Sequence, residues 1–452
     1  MTVHRGNARL RILHLEDLAC AALFAFFAMQ GSIPGIAPAQ ALEVTASAPS
    51  SLNTLGGIAV QTFANTLILA LILRRPRLLL RQIAGLPWLI VPALIALLAV
   101  ASCAWSLDPF LTLRRALPFA LAGLFGLWFS VRFPLPRQLA ILRITLVALA
   151  LGTIAVVLLN PAIGLDHSSG HAADWQGVFT QKNACGRIMV LGTAVILFGE
   201  RFTGARFGAF LLFVFVLVMS GSRGAWLIEG SLLLLWGALA IAQRTGPRLR
   251  TLLAIAAPVK IVSVGFGLLL GVHRLVPLIG RDPTLSGRAA IWLQVSRFIA
   301  QRPMLGYGYD AFWRGMQGPS FQIAASLHFI VAHAHNGFLE IALELGFAGI
   351  LLFALSWMRA WCALWPHWRR GEIGKIAWPL AFLLLIVLYD LDENTLLIYN
   401  GMFWVLYVAV IAAIERLACD LHHNAATAAR EMLTATPPAG GAFVRSGPQE
   451  AV

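Results

Sequence analysis

The chain has 452 residues, of which 59% are hydrophobic and 12% charged, and its 34 Lys and Arg against 20 Asp and Glu give a formal charge of +14. That charged fraction is about half of what a soluble domain carries, which excludes an ordinary soluble enzyme and indicates a multi-pass membrane protein. The positive balance does not indicate a nucleic-acid partner, because most Lys and Arg fall in short loops between apolar segments, where they set topology.

Arg5, Arg9 and Arg11 precede an apolar run at 18–29, with Ala39-Gln40-Ala41 beyond it. This has the look of a cleavable signal peptide, but the many further apolar segments favour a retained first span. About twelve spans are expected, at 18–34, 52–73, 87–104, 114–131, 139–160, 184–200, 206–221, 224–242, 251–271, 337–357, 376–391 and 396–415. The expected fold class is therefore all-α, a polytopic bundle of membrane helices. Its parts are a cytoplasmic arm at 1–17, spans at 18–271, a large helical outer loop at 272–336, further spans at 337–415 and a disordered cytoplasmic tail at 416–452.

Loop charge alternates along the chain. Arg74, Arg75, Arg77 and Arg81 mark one loop, Arg132 and Arg137 the next of that set, then Arg201 and Arg206, then Arg244, Arg248 and Arg250, then Arg359, Arg369, Arg370 and Lys375. Positive loops stay in the cytoplasm, so both termini are expected there. The intervening segments at 160–183, 220–224, 272–336 and 390–395 are expected outside. The loop at 272–336 breaks the rule by carrying Arg274, Arg281, Arg288, Arg297, Arg302 and Arg314, which calls for an anionic partner.

Within that loop, Ser286 can cap a helix running to about Gln301, with Trp292, Val295 and Ile299 at helical spacing. Pro303 ends it, and the glycines of PMLGYGYDAFW (303–313) indicate a tight turn. A second helix around 321–331 is apolar enough to lie on a membrane surface.

Four constellations carry chemistry. In GSRGAWL (221–227), a turn between two spans fixes Arg223 at the outer face. Its guanidinium suits a phosphate, and the flanking glycines let a large anion approach; the bland alternative is an arginine snorkelling to lipid headgroups. In HAHNGFLEIALELGFAG (333–349), Asn336, Glu340 and Glu344 form one stripe of a helix at i, i+4, i+8 spacing. Such a stripe is expected to face a bundle interior or wet cavity. His335 at the mouth of that helix can accept a proton near neutral pH, although a lone histidine is more often structural.

In DWQGVFTQKNACGRIM (174–189), Lys182, Asn183 and Arg187 cluster where a span begins. His167 and His171 lie nearby, but Ser168, Ser169 and Gly170 between them argue against the helix that would make them a metal pair. DLDENT (390–395) contains a DxD triplet, too short a motif to assign a metal. It reads as a polar loop in which Glu393 contacts an acceptor. Glu229 and Lys260 fall inside spans with no partner evident from sequence. Cys20, Cys103, Cys185, Cys362 and Cys419 show no metal spacing and read as small apolar residues.

Taken together, these segments resemble the O-antigen ligase and polysaccharide polymerase family of bacterial inner-membrane glycosyltransferases. AWSLDPFLTLRR (104–115) is similar to a family segment after an early span, and GVFTQKNACGR (177–187) to the exopolysaccharide polymerase branch. Arg223 with Leu227 resembles the ligase pattern, as do His335 and Asn336 followed by Gly346 and Gly349, and GRAAIWLQVSRFIAQRPMLGYG (287–308) resembles the large periplasmic loop. The resemblance implies a twelve-span fold, a periplasmic active site and metal-independent, cofactor-free, inverting transfer. The donor would be a glycan on undecaprenyl pyrophosphate. The acceptor would be lipid A–core for a ligase, or a second lipid-linked glycan for a polymerase; a flippase for the same lipid is the remoter alternative. His335 is then the expected base. Arg223, Arg288, Arg187, Lys182, Asn183, Asn336, Glu340 and Glu393 are the expected substrate contacts.

Overall fold

The computed structural model describes residues 15–32, 51–167, 174–199, 203–253 and 288–434, and within them it is helical, with no strand beyond an isolated bridge between Leu165 and Trp175. The helices are α1 (Leu15–Ala28), α2 (Ser51–Leu73), α3 (Pro76–Ala84), α4 (Ile90–Ala101), α5 (Pro109–Arg132), α6 (Leu135–Leu159) and α7 (Lys182–Gly199). They continue as α8 (Gly204–Met219), α9 (Arg223–Arg244), α10 (Arg288–Gln301), α11 (Gly318–Leu327), α12 (Gly337–Arg370), α13 (Ile373–Asp392) and α14 (Met402–Thr434).

Among the described residues, nine helical segments are long and apolar enough to cross a membrane. Two shorter helices, α1 and α8, occupy two more of the expected spans. The expected span at 251–271 lies almost wholly outside the described residues, as do Ser286, Arg274, Arg281, His171 and Lys260. The final helix runs to Thr434, so the first part of the tail expected to be disordered is helical. The sequence reason is its run of Ala, Arg, Glu and Met between 425 and 432, all strong helix formers.

The bundle centre is the α5–α14 pair. Gly123 and Gly126 of α5 let the backbones close in, since a Cβ at Gly126 would lie 2.2 Å from the Val405 carbonyl oxygen. Phe119 stacks on Trp404 with centroids 4.3 Å apart, and Trp404 Nε1 donates to the Phe119 carbonyl at 2.9 Å. Helix α1 joins this core through Phe24 and Phe27 and is tied to the end of the bundle by Arg132–Glu16 and Arg137–Asp17 ion pairs.

At the other end, the segment from Arg288 to Asn336 folds as a cap rather than lying flat. Ile291, Val295, Phe298, Tyr307, Phe312, Trp313 and Ile323 form a second core with Leu343 of α12 beneath them. The second helix of this segment, α11, starts earlier than expected, at Gly318; it buries Ile323 and Ala324 in the cap and leaves Phe321 exposed.

The cap is stitched to the bundle at a break in α12. Gly346 adopts φ 65°, ψ −161°, a conformation that interrupts the helix and that a side chain resists. The carbonyls of Leu343 and Glu344 are thereby free to accept from Tyr307 and Gly308 N–H at 2.9 and 3.0 Å. On the far side, Phe347 and Ala348 N–H donate to Pro303 and Met304 carbonyls at 2.7 and 3.2 Å. The segment 104–115 seats the same turn: Trp105 Nε1 donates to the Leu305 carbonyl, Thr112 Oγ1 to the Tyr309 carbonyl, and Arg115 pairs with Asp310.

Candidate functional site

The site is built on the turn between α13 and α14. Asp390 Oδ1 accepts from Thr395 N–H and Oγ1–H, each at 2.8 Å, and from Leu396 N–H at 3.3 Å. This knot folds the chain back and presents Asp392, Glu393 and Asn394 to the start of three other helices. The DxD carboxylates are therefore occupied, Asp390 by its own turn and Asp392 by Arg288 at 2.7 Å.

Glu393 is the hub. Its Oε1 accepts from Arg288 at 2.9 Å and from Asn183 Nδ2 at 3.1 Å. His335 Nδ1 lies 3.2 Å from Oε2 and 3.3 Å from Oε1. An ionised carboxylate can only accept, so Nδ1 carries the imidazole proton and Nε2 is left with its lone pair. Among the described residues Nε2 has no hydrogen-bond partner. Burial would raise the Glu393 carboxyl, but the His335 hydrogen bond and the Arg288 charge outweigh it and hold the group well below the usual carboxylate range. Glu393 is only 5% exposed while His335 is 28% exposed, so the acid is sheltered and the imidazole reachable.

His333 completes the group, with its ring centroid 4.0 Å from that of His335. Burial pushes it down to about 3, so it is neutral at pH 7. Its Nδ1 accepts from the His335 N–H at 3.2 Å. His333, His335 and Glu393 offer three ligand atoms within 4.8 Å of one another, a set that could hold a metal ion. Arg288 on the same carboxylate and the Arg187 charge beside His333 oppose a cation there, so an arginine–carboxylate–imidazole network is the better description. The other histidine considered for metal, His167, points to the Ala162 carbonyl.

Arg187 is buried, donates to the Asn394 carbonyl at 3.0 Å and lies over the Phe403 ring. Asn183 bridges Glu393 and Ser222 Oγ, bringing the α9 turn into the site. Arg223 is the first residue of α9, is exposed, and has no ion pair among the described residues. It stands at the rim, since a Cβ on the next residue, Gly224, would lie 2.1 Å from Asp392 Oδ2. Lys182 is peripheral and paired with Asp174 at 2.7 Å.

Of the expected polar stripe, Glu340 and Glu344 face the protein interior, one of the two settings expected, while Asn336 serves as a helix cap. Asn336 caps α12 by accepting from Leu339 N–H at 3.0 Å, and its Nδ2 donates to the Leu391 carbonyl. Glu340 and Glu344 are almost fully buried under the cap. Glu340 accepts from Trp313 Nε1 and the Ala334 N–H. The stripe is real, but a protein cap rather than water covers it. Glu229 accepts from Thr193 Oγ1 at 2.5 Å, away from this network. Sequence reasoning missed His333 and Asp392, although each sits within two residues of a residue it had singled out.

Residues 208–354 match the family model described as O-antigen ligase. The chain is 32% identical over 196 residues to the exopolysaccharide production protein ExoQ of Rhizobium meliloti (strain 1021), covering 40% of this chain and 44% of ExoQ. It is 37% identical over 75 residues to a Rickettsia prowazekii (strain Madrid E) protein with the provisional name polysaccharide ligase RP358, covering 16% of this chain and 18% of that protein. The matched regions thus span less than half the length of these relatives. The network described above draws on the matched region for Arg223, Arg288, His333 and His335 and adds Asn183, Arg187, Asp392 and Glu393 from outside it. Residues 208–354 are thus similar to the O-antigen ligase family model, and the likeness to an exopolysaccharide production protein and a polysaccharide ligase is consistent with an O-antigen ligase-like membrane protein.

Proposed function

We propose that this membrane glycan ligase or polymerase transfers a glycan from undecaprenyl pyrophosphate to an acceptor hydroxyl at the periplasmic face of the bacterial inner membrane. The observation that carries the reading is the His335–Glu393–Arg288 network, with a free Nε2 on an accessible imidazole. His335 Nε2 takes the proton of the acceptor hydroxyl as its oxygen attacks the anomeric carbon. Glu393 accepts the Nδ1 hydrogen bond, keeps the tautomer and stabilises the imidazolium that forms. The bond from the anomeric carbon to the pyrophosphate oxygen breaks, with inversion, and the pyrophosphate leaves with its charge on the lipid.

That charge is met by guanidiniums rather than by a resident metal. Arg223 is the arm free to grip the diphosphate, assisted by the N-terminal end of α9. Arg288 and Arg187 supply fixed positive charge behind it while holding Glu393 and Asn394. Lys182, Asn183 and Asn336 shape the rim, and Glu340 acts from beneath it.

Two acceptors fit the same chemistry. A ligase would use the sugar of lipid A–core, and a polymerase a second lipid-linked repeat. The similarity to ExoQ, an exopolysaccharide production protein, and that to polysaccharide ligase RP358 leave both acceptors to be tested. Purified protein is incubated with a lipid-linked repeat unit, with and without lipid A–core. Chain extension without the core establishes the polymerase, capping of the core establishes the ligase, and no glycosidic product under either condition overturns the reading.

A further inference from the structure

We infer that Trp292 and Glu340 are positioning residues for His335, clamping the buried peptide groups of Ala334 from two directions. This inference rests on the transferase reading and goes beyond it by assigning the device that holds the base in place. The Ala334 carbonyl accepts from Trp292 Nε1 at 2.9 Å. The Ala334 N–H donates to the Glu340 carboxylate. Trp313 Nε1 donates to both Glu340 oxygens, each at 3.0 Å, and so fixes the carboxylate itself. Ala334 is fully buried, and it lies between the two histidines of the site.

The clamp answers a specific need. His335 has φ 50°, a left-handed conformation that a non-glycine residue holds only when its surroundings impose it. Pinning both hydrogen-bonding groups of the preceding residue imposes it. Helix α10 supplies a second constraint. Arg288 and Trp292 are four residues apart, hence on one helix face. Arg288 reaches Asp392 and Glu393 while Trp292 reaches Ala334. One rigid face therefore sets the spacing between the imidazole and its carboxylate partner.

The test compares Trp292→Phe, Glu340→Gln and Glu340→Ala with wild type in lipid nanodiscs, by transfer kinetics and by hydrogen–deuterium exchange. Trp292→Phe removes the N–H and keeps an aromatic ring at this half-buried position, so it folds. It is expected to lower kcat about tenfold with KM within about twofold, because small misplacement of a reacting group costs rate rather than binding. Exchange in the 333–337 segment rises while the rest of the protein is unchanged. Glu340→Gln keeps one acceptor for the Ala334 N–H and is expected to lose less activity than Glu340→Ala, which loses about a hundredfold.

Unchanged exchange at 333–337 in Trp292→Phe overturns the clamp. Faster exchange with unchanged kcat overturns the positioning role and leaves a structural one. If wild type makes no product at all, the transferase reading falls and the positioning role with it, while the exchange data still report on the clamp.

Discussion

Glu393 holds His335 from two sides of the same short segment. Its carboxylate meets the imidazole Nδ1 at 3.2 Å, and its backbone carbonyl accepts the N–H of Gly337, two residues further on, at 3.0 Å. Side chain and backbone of one residue thus set both the tautomer of the imidazole and the position of the strap that bears it. Glu393→Gln keeps the backbone contact and removes the charge. Transfer is expected to fall about 10²–10⁴-fold in kcat, as when the acid behind a catalytic histidine is neutralised. Steady-state kinetics on the purified variant check this.

The same pair makes a pH statement about stability. Glu393 titrates well below the ordinary glutamate value in the folded protein, so its ion pairs contribute fully above the unfolded value of about 4.3. The contribution is lost as pH falls through the lower, folded value. The difference in thermal midpoint between wild type and Glu393→Gln is expected to be constant from about pH 6 to 8 and to shrink below about pH 4. Melting curves in detergent across that range read it directly.

Arg223 and Arg288 separate binding from architecture. Arg223 is exposed and unpaired among the described residues, so Arg223→Lys leaves the melting temperature unchanged. It raises the KM for the lipid-linked donor about tenfold, because lysine lacks the bidentate fork. Arg288 pairs with Asp392 and Glu393, so Arg288→Ala lowers both activity and melting temperature. Paired donor titrations and melts on the two variants distinguish these outcomes.

Gly346 is where the cap enters the transmembrane helix. A Cβ there would lie 2.4 Å from the Met304 carbonyl carbon, on a backbone at φ 65°. Gly346→Ala is expected to cost at least about 1–3 kcal/mol from backbone strain alone. It also exposes the 303–308 turn. Thermal unfolding and limited proteolysis at that turn measure both effects.

Much of this arrangement was legible in the sequence. Hydropathy places the membrane helices seen among the described residues, and the sequence alone marks the segments holding Asn183, Arg223, Arg288, His335 and Glu393. What the sequence could not convey was their mutual order. Glu393 directly follows the DxD triplet, and nothing in so short a stretch reveals that a histidine 58 positions earlier and an arginine 105 positions earlier converge on it. Glu340 falls on the expected helical stripe, but the sequence leaves open whether that stripe meets a bundle interior or a wet cavity. Helical spacing reports which residues share a face, not whether water or a protein cap covers that face. The cap has a core because Phe298, Tyr307, Phe312 and Trp313 fold over Leu343, a long-range packing event that periodicity does not encode. The break at Gly346 is equally silent, since a glycine in an apolar helix reads as a tolerated weak point until another segment is seen to pair with the opened backbone.

The most direct test is a single-turnover transfer assay on His335→Ala with a radiolabelled lipid-linked repeat as donor. The variant is expected to be folded, to bind the donor as wild type does, and to form product at least about 10²-fold more slowly. Product formation at the wild-type rate would contradict the assignment of His335 as the base, and with it the role given to Glu393.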